Sequence, residues 1–175
     1  MRHDTDGGEA IPSPPLLRYI AIFTRACGNI SALLILFSLA FTSYAVMLRY
    51  VFGAPLAWSD EFAGYLLVAI VMLGAAEAYR QGDHIAIDLL YARSPGWLRA
   101  PLALWAHISV LAFAALLAVS AWDSIRFAYD FGSYSAGHLE VAMWIPQLPI
   151  LLGAVLLGLI ALTKIYREYT IWRRK

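Results

Sequence analysis

ACGNISALLILFSLAFTSYAVML, residues 26–48, carries no charged side chain, and its length decides the fold. As a helix rising about 1.5 Å per residue it crosses a hydrocarbon core of about 30 Å. Three further uncharged windows follow, Phe62–Ala76, Ala100–Trp122 and Val141–Thr163. The second window is short, but its flanks complete it. Ser59 offers an N-cap, Asp60 and Glu61 suit the positive end of a helix dipole, and Gln81-Gly82 supplies a stop. A helix over 60–80 then reaches about 31 Å. The reading is an all-α membrane protein with four transmembrane helices, at about 26–48, 60–80, 98–122 and 143–165.

Composition agrees, with 61% hydrophobic and 14% charged residues in a chain of 175. Typical soluble domains are about 25% charged. The net charge of +1 hides an asymmetry. Eleven of the thirteen basic residues precede the first span, lie between the second and third, or follow the fourth; only Arg49 and Arg126 fall on the other side. Cationic loops stay cytoplasmic during insertion, so both termini are expected in the cytoplasm. Residues 1–15 are polar and rich in Gly and Pro, and read as a disordered N-terminus rather than a secretory signal. Leu16, Tyr19, Ile20 and Phe23 follow helical spacing and form either an interfacial helix or an extension of the first span. Residues 16–170 make the membrane domain and 171–175 a basic tail, which reads as the end of an unfused chain.

A charge at the middle of a span costs roughly 3 kcal/mol and is normally kept for a task. The windows hold none, and His107 is the one ionisable side chain well inside them apart from Cys27 and the tyrosines. A lone histidine reads first as a hydrogen-bonded packing residue. A proton-coupled exporter wants an acid in a span, and a haem carrier wants paired axial ligands, so neither class fits well. Cys27 reads as a small buried residue. No nucleic-acid partner is expected.

The first loop reads Arg49-Tyr50-Val51-Phe52-Gly53-Ala54-Pro55-Leu56-Ala57-Trp58-Ser59-Asp60-Glu61. Gly53 and Pro55 turn the chain, and Tyr50 and Trp58 suit the membrane interface. Arg49 is placed to meet Asp60 or Glu61, locking the hairpin or meeting a partner. At the other end of helix two, Glu77 and Arg80 are spaced to pair. Beyond them Asp83 can cap a short elbow helix over about 84–92, with His84 and Asp88 on one face. Two such residues do not make a metal site. Ser94-Pro95 caps helix three, which runs on to about Phe131 before Gly132. Pro146 and Pro149 are expected to bend or restart helix four near its start. Gly28/Ala32, Gly74/Ala78 and Ala154/Gly158 permit close helix approach.

Residues 49–90, RYVFGAPLAWSDEFAGYLLVAIVMLGAAEAYRQGDHIAIDLL, resemble the small membrane subunit of tripartite ATP-independent periplasmic (TRAP) transporters, the DctQ-like family. The matching residues are Arg49-Tyr50, Trp58 with Glu61, Leu73-Gly74-Ala75, and His84-Ile85 with Asp88. Gly132 with Ser135, and Pro146, Pro149 and Gly153, resemble the entry to the family's fourth helix. The resemblance covers about residues 18–168, and His138-Leu139-Glu140 departs from it.

The resemblance implies a non-catalytic, non-enzymatic subunit of a sodium-coupled secondary transporter for organic acids. It implies a large DctM-like membrane subunit that carries substrate and sodium ions, a DctP-like periplasmic binding protein, and a lipid bilayer around them. The small subunit would extend the fixed scaffold of the large one, with no cofactor of its own. The small subunit of tripartite tricarboxylate transporters also has four spans and is the alternative.

Overall fold

The computed structural model describes residues 15–82 and 96–173. They form four helices: α1 Pro15–Val51, α2 Ser59–Gln81, α3 Gly96–Asp130 and α4 Trp144–Arg173. All four are long and apolar enough to cross a membrane. The stretch before the first window is the opening of α1, so it is an extension of the first span and not a separate helix. Asp83, His84, Asp88, Ser94 and Pro95, and with them the elbow over 84–92, lie outside the described residues, as do residues 1–14 and the last two.

The helices pack in the order α1–α2–α4–α3, with α1 touching α4 only lightly. One end of the bundle gathers the start of α1 and α3 and the end of α2 and α4; it is called the terminal end below, and the other the hairpin end. Buried positions recur every seven residues on each helix: Thr24 and Ser31 on α1, Ser59, Leu66 and Leu73 on α2, Ala114, Ala121 and Ala128 on α3, Ala154 and Ala161 on α4. That is the repeat of left-handed packing at shallow crossing angles. Small or hydroxylated side chains fill most of it, so backbones approach closely. A buried cluster of Cys27, Leu73, Ala76, Tyr79, Leu156, Ile160 and Ala161 joins α1, α2 and α4.

Hydroxyls inside the spans need acceptors, because lipid provides none. Thr24, Ser43, Ser109 and Thr163 donate to carbonyls three or four residues back in their own helices. Ser31 instead donates across the seam to the carbonyl of Ile70 at 2.7 Å.

Helix ends follow their local chemistry. Gly82 adopts φ 88° as the left-handed cap of α2. Gly132 (φ 58°) ends α3 in a Schellman pattern, with Ser133 N donating to Ala128 O and Gly132 N to Tyr129 O. One expectation is corrected, and of the two effects expected of the prolines of α4 the restart does not occur. Ser59 is the first residue of α2 rather than its cap; Trp58 holds the cap position, and the Ser59 hydroxyl turns back to donate to Leu56 O at 2.8 Å. Pro146 and Pro149 do not restart α4, which runs unbroken from Trp144 to Arg173. Pro146 lies in the first turn, where N–H groups have no intrahelical acceptor, and Pro149 removes one hydrogen bond at most.

Candidate functional site

Among the described residues, three groups of polar side chains are joined by side-chain hydrogen bonds around a titratable residue. At the hairpin end, Glu61 sits in the first turn of α2 and gathers three donors. Its Oε1 accepts from the Tyr65 hydroxyl at 2.7 Å and from the Ser135 hydroxyl, and its Oε2 accepts from the backbone N–H of Leu139 at 3.3 Å. The α3–α4 connection is thus tied to α2. It folds as a small antiparallel turn, with a bridge between Tyr134 and Ala142 and with Ser135 N donating to Val141 O and Met143 N to Ser133 O. Gly137 lies directly over the carboxylate, where an added Cβ would stand 2.5 Å from Glu61 Cδ. Glu140 takes φ 46°, an unfavourable conformation for a non-glycine residue.

Glu61 therefore does not join the hairpin lock with Arg49. Arg49 meets Asp60 alone, at 3.6 Å, with the Asp60 side chain 87% exposed. The α1–α2 hairpin is held instead by rings: Phe41 lies 5.1 Å from Phe62 and 5.7 Å from Trp58 between centroids, and Phe37 meets Phe62 edge-on. Tyr50 points outward.

At the terminal end, buried Glu77 accepts two hydrogen bonds from Arg80, at 2.6 and 2.7 Å, and one from Gln81 at 2.7 Å. Gly28 of α1 packs on its stem, so that a Cβ there would meet Glu77 Cγ at 2.6 Å. Gly74 likewise faces Ser31, and Gly153 faces the backbone of Met72. The third constellation links three helices. The Tyr79 hydroxyl is 2.7 Å from His107 Nδ1, and Lys164 donates to the Tyr79 carbonyl while its Nζ lies 4.3 Å over the Tyr79 ring. His107 thus packs by hydrogen bonding across the bundle.

These pairs make a direct comparison of buried and exposed charge. Glu77→Gln is expected to cost about 2 kcal/mol, the range for charge-assisted hydrogen bonds in a dry site. Asp60→Asn should stay within about 0.5 kcal/mol of wild type, because an exposed pair gains little in water. Thermal unfolding in detergent checks both; equal midpoints would remove the distinction.

Glu61, Lys164 and the Arg49–Asp60 pair join different elements of the bundle, and Glu77 and Arg80 close the last turn of α2 on one another. The arrangement makes a scaffold, with broad apolar faces outside it: Leu33, Leu36 and Leu39 of α1 and Leu116 and Val119 of α3 are all exposed in the isolated chain.

Residues 34–170 match the family described as tripartite ATP-independent periplasmic transporters, DctQ component. The chain belongs to the DctQ family. A DctQ protein is a small permease subunit, a component of a transport system, and this one is a multi-pass membrane protein. Among its relatives, the C4-dicarboxylate TRAP transporter small permease protein DctQ of Vibrio cholerae is 32% identical over 78 residues, 45% of this chain and 34% of that protein. A putative TRAP transporter small permease protein of Haemophilus influenzae is 23% identical over 121 residues, 69% of this chain and 74% of that protein. The sialic acid TRAP transporter permease protein SiaT of another Haemophilus influenzae strain is 41% identical over 54 residues, 31% of this chain and 9% of that protein. The matches thus span about a third of the Vibrio protein and under a tenth of SiaT.

Of the residues singled out by the sequence, the structure brings Glu61 to Ser135, Glu77 to Arg80, and Arg49 to Asp60. Gly132 caps the end of α3, Pro146 and Pro149 lie in the first turns of α4, Gly74 lies in the α1–α2 seam and Gly153 in the α2–α4 seam. The reading missed Leu139 and Gly137 as partners of Glu61, and Lys164 as the neighbour of Tyr79. Long-range partners of this kind leave no local spacing to read.

Proposed function

We propose that this chain is the non-catalytic small subunit of a binding-protein-dependent, sodium-coupled transporter for organic acids. It packs beside a large membrane subunit and extends its fixed scaffold, with both termini in the cytoplasm of a bacterium and the hairpin end facing the periplasm. The observation that carries this reading is the commitment of Glu61, Glu77, Arg80 and Lys164 to internal ties beneath apolar outer faces. A wall needs rigidity and an apolar surface; a carrier needs polar groups left for cargo. The SiaT match supports a large neighbour, because there a DctQ-like stretch is a small part of a far longer permease chain. Substrate and sodium sites then belong to the large subunit, and delivery to a periplasmic binding protein.

Affinity purification of the tagged chain from native membranes in mild detergent tests this. A roughly stoichiometric, much larger polytopic protein is the expected companion, and the reconstituted pair should take up an organic acid only with sodium and a binding protein. Recovery of the chain alone, with transport activity of its own, overturns it.

A further inference from the structure

Among the described residues, four cations stand at the terminal end near one buried acid, Glu77. Lys164 reaches from α4 to the last turn of α2, where its described partners are the Tyr79 carbonyl and ring face, both neutral. Arg167 stands one turn beyond Lys164 on the same helix, and Arg80 directly follows Tyr79, whose carbonyl Lys164 meets. Arg80 is paired with Glu77, and Arg25 of α1 lies one turn from Gly28, which packs on the stem of that acid. Glu168 follows Arg167 on α4 and is the other acid of this stretch. Lys164 is half-buried, whereas Arg25 and Arg167 are exposed. The cluster therefore holds excess positive charge beside a partly dehydrated ammonium, and an anion would relieve it.

Depth identifies the anion. Lys164 lies twenty residues beyond Trp144 on α4, and Arg80 twenty beyond Asp60 on α2, each about 30 Å along its helix. That equals the thickness of the hydrocarbon core, so with Trp144 and Asp60 at one edge of the core both cations come to its other edge, within side-chain reach of lipid phosphates. We propose that Arg25, Lys164 and Arg167, with Arg80 behind them, bind the headgroup phosphate of an anionic phospholipid at the terminal end of the bundle. A phosphate ester there supplies negative charge to Lys164 and Arg167 and links α1 to α4, which otherwise touch lightly. The inference requires the chain to span a bilayer but not any particular transport substrate, so its failure would leave the subunit reading standing.

The test is native mass spectrometry of the full chain in detergent with dioleoyl-phosphatidylglycerol or dioleoyl-phosphatidylcholine. Phosphatidylglycerol should be retained about tenfold more than phosphatidylcholine, and Lys164→Gln with Arg167→Gln should remove about that preference, in line with the attraction of each basic residue to anionic lipid. Arg25→Gln and Arg167→Gln change exposed side chains and carry the same test if Lys164→Gln fails to fold. Arg126→Gln, near the hairpin end, should change nothing. Equal retention of the two lipids overturns the proposal. So does displacement of phosphatidylglycerol by millimolar inorganic phosphate, which would assign the cluster to a free anion. Loss of a co-purifying membrane protein in the exposed variants, without lipid preference in wild type, would assign it to a protein contact.

Discussion

Gly153→Ala is expected to be the most damaging single methyl group in the bundle. At Gly153 α4 lies against the backbone of α2, where an added Cβ would contact Met72 O and stand 2.8 Å from Met72 C and 2.9 Å from its Cβ. Main-chain atoms in the middle of a helix cannot rotate away. Separation of α2 from α4 is the remaining response, and it opens the central seam. Overpacking of this kind costs about 3 kcal/mol. Gly28→Ala meets the Glu77 stem at 2.6 and 2.8 Å and should come next, because Cβ of Glu77 is fixed by its own backbone. Gly74→Ala meets the Ser31 hydroxyl at 2.9 Å, and a hydroxyl can turn aside. Gly158→Ala finds only Ala114 Cβ at 3.6 Å and Leu111 Cδ1 at 3.9 Å, ordinary contacts. It should be neutral or gain up to about 1 kcal/mol of helix propensity. Thermal midpoints in one detergent should therefore fall in the order Gly158→Ala, Gly74→Ala, Gly28→Ala, Gly153→Ala. A Gly153→Ala protein melting with Gly158→Ala would show that the α2–α4 approach is looser than described.

The spans were legible in the sequence because the hydrocarbon core sets a length, and four uncharged windows meet it. The caps at Gly82 and Gly132 were legible because a left-handed cap favours glycine. The side of each helix that faces its neighbours was not. In lipid both faces of a span are apolar, so Leu33 on the outside and Leu73 in the core look alike in composition. What marks the inner face is small residues at sevenfold spacing, and Ala114, Ala121 and Ala128 are inconspicuous in an alanine-rich chain. Partner choice was hidden for a different reason. In the sequence Asp60 and Glu61 are both near Arg49, and proximity alone offers either as its partner. Glu61 instead takes three donors, two of them more than seventy residues away, because α2 and the α3–α4 turn meet only once α4 has packed against α2.

Glu61→Ala should release that turn. Its carboxylate accepts from Tyr65, Ser135 and the Leu139 amide, and the last two of these bonds run directly between the turn and α2. Without it the Leu139 N–H loses its acceptor, and its hydrogen exchange should rise about tenfold or more while amides in the middle of α2 and α4 stay protected. Glu61→Gln separates charge from shape. Tyr65 and Ser135 hydroxyls can rotate to accept, so an amide oxygen on Leu139 with its NH2 toward the hydroxyls keeps every group paired. The glutamine variant should fall between wild type and alanine. Gly137→Ala attacks the tie from the opposite side, since its methyl group would occupy the space of the carboxylate, 2.5 Å from Glu61 Cδ. It should reproduce the exchange pattern of Glu61→Ala with the acid intact. If the hairpin end receives the periplasmic binding protein, both variants should lower uptake by the assembled transporter while that protein's affinity for free substrate is unchanged. Arg49→Ala, which removes only the exposed contact to Asp60, should leave uptake near wild type. Protection of Leu139 in both Glu61→Ala and Gly137→Ala would mean that the turn is held by its own ladder between Tyr134 and Ala142, and that Glu61 is placed there for another purpose.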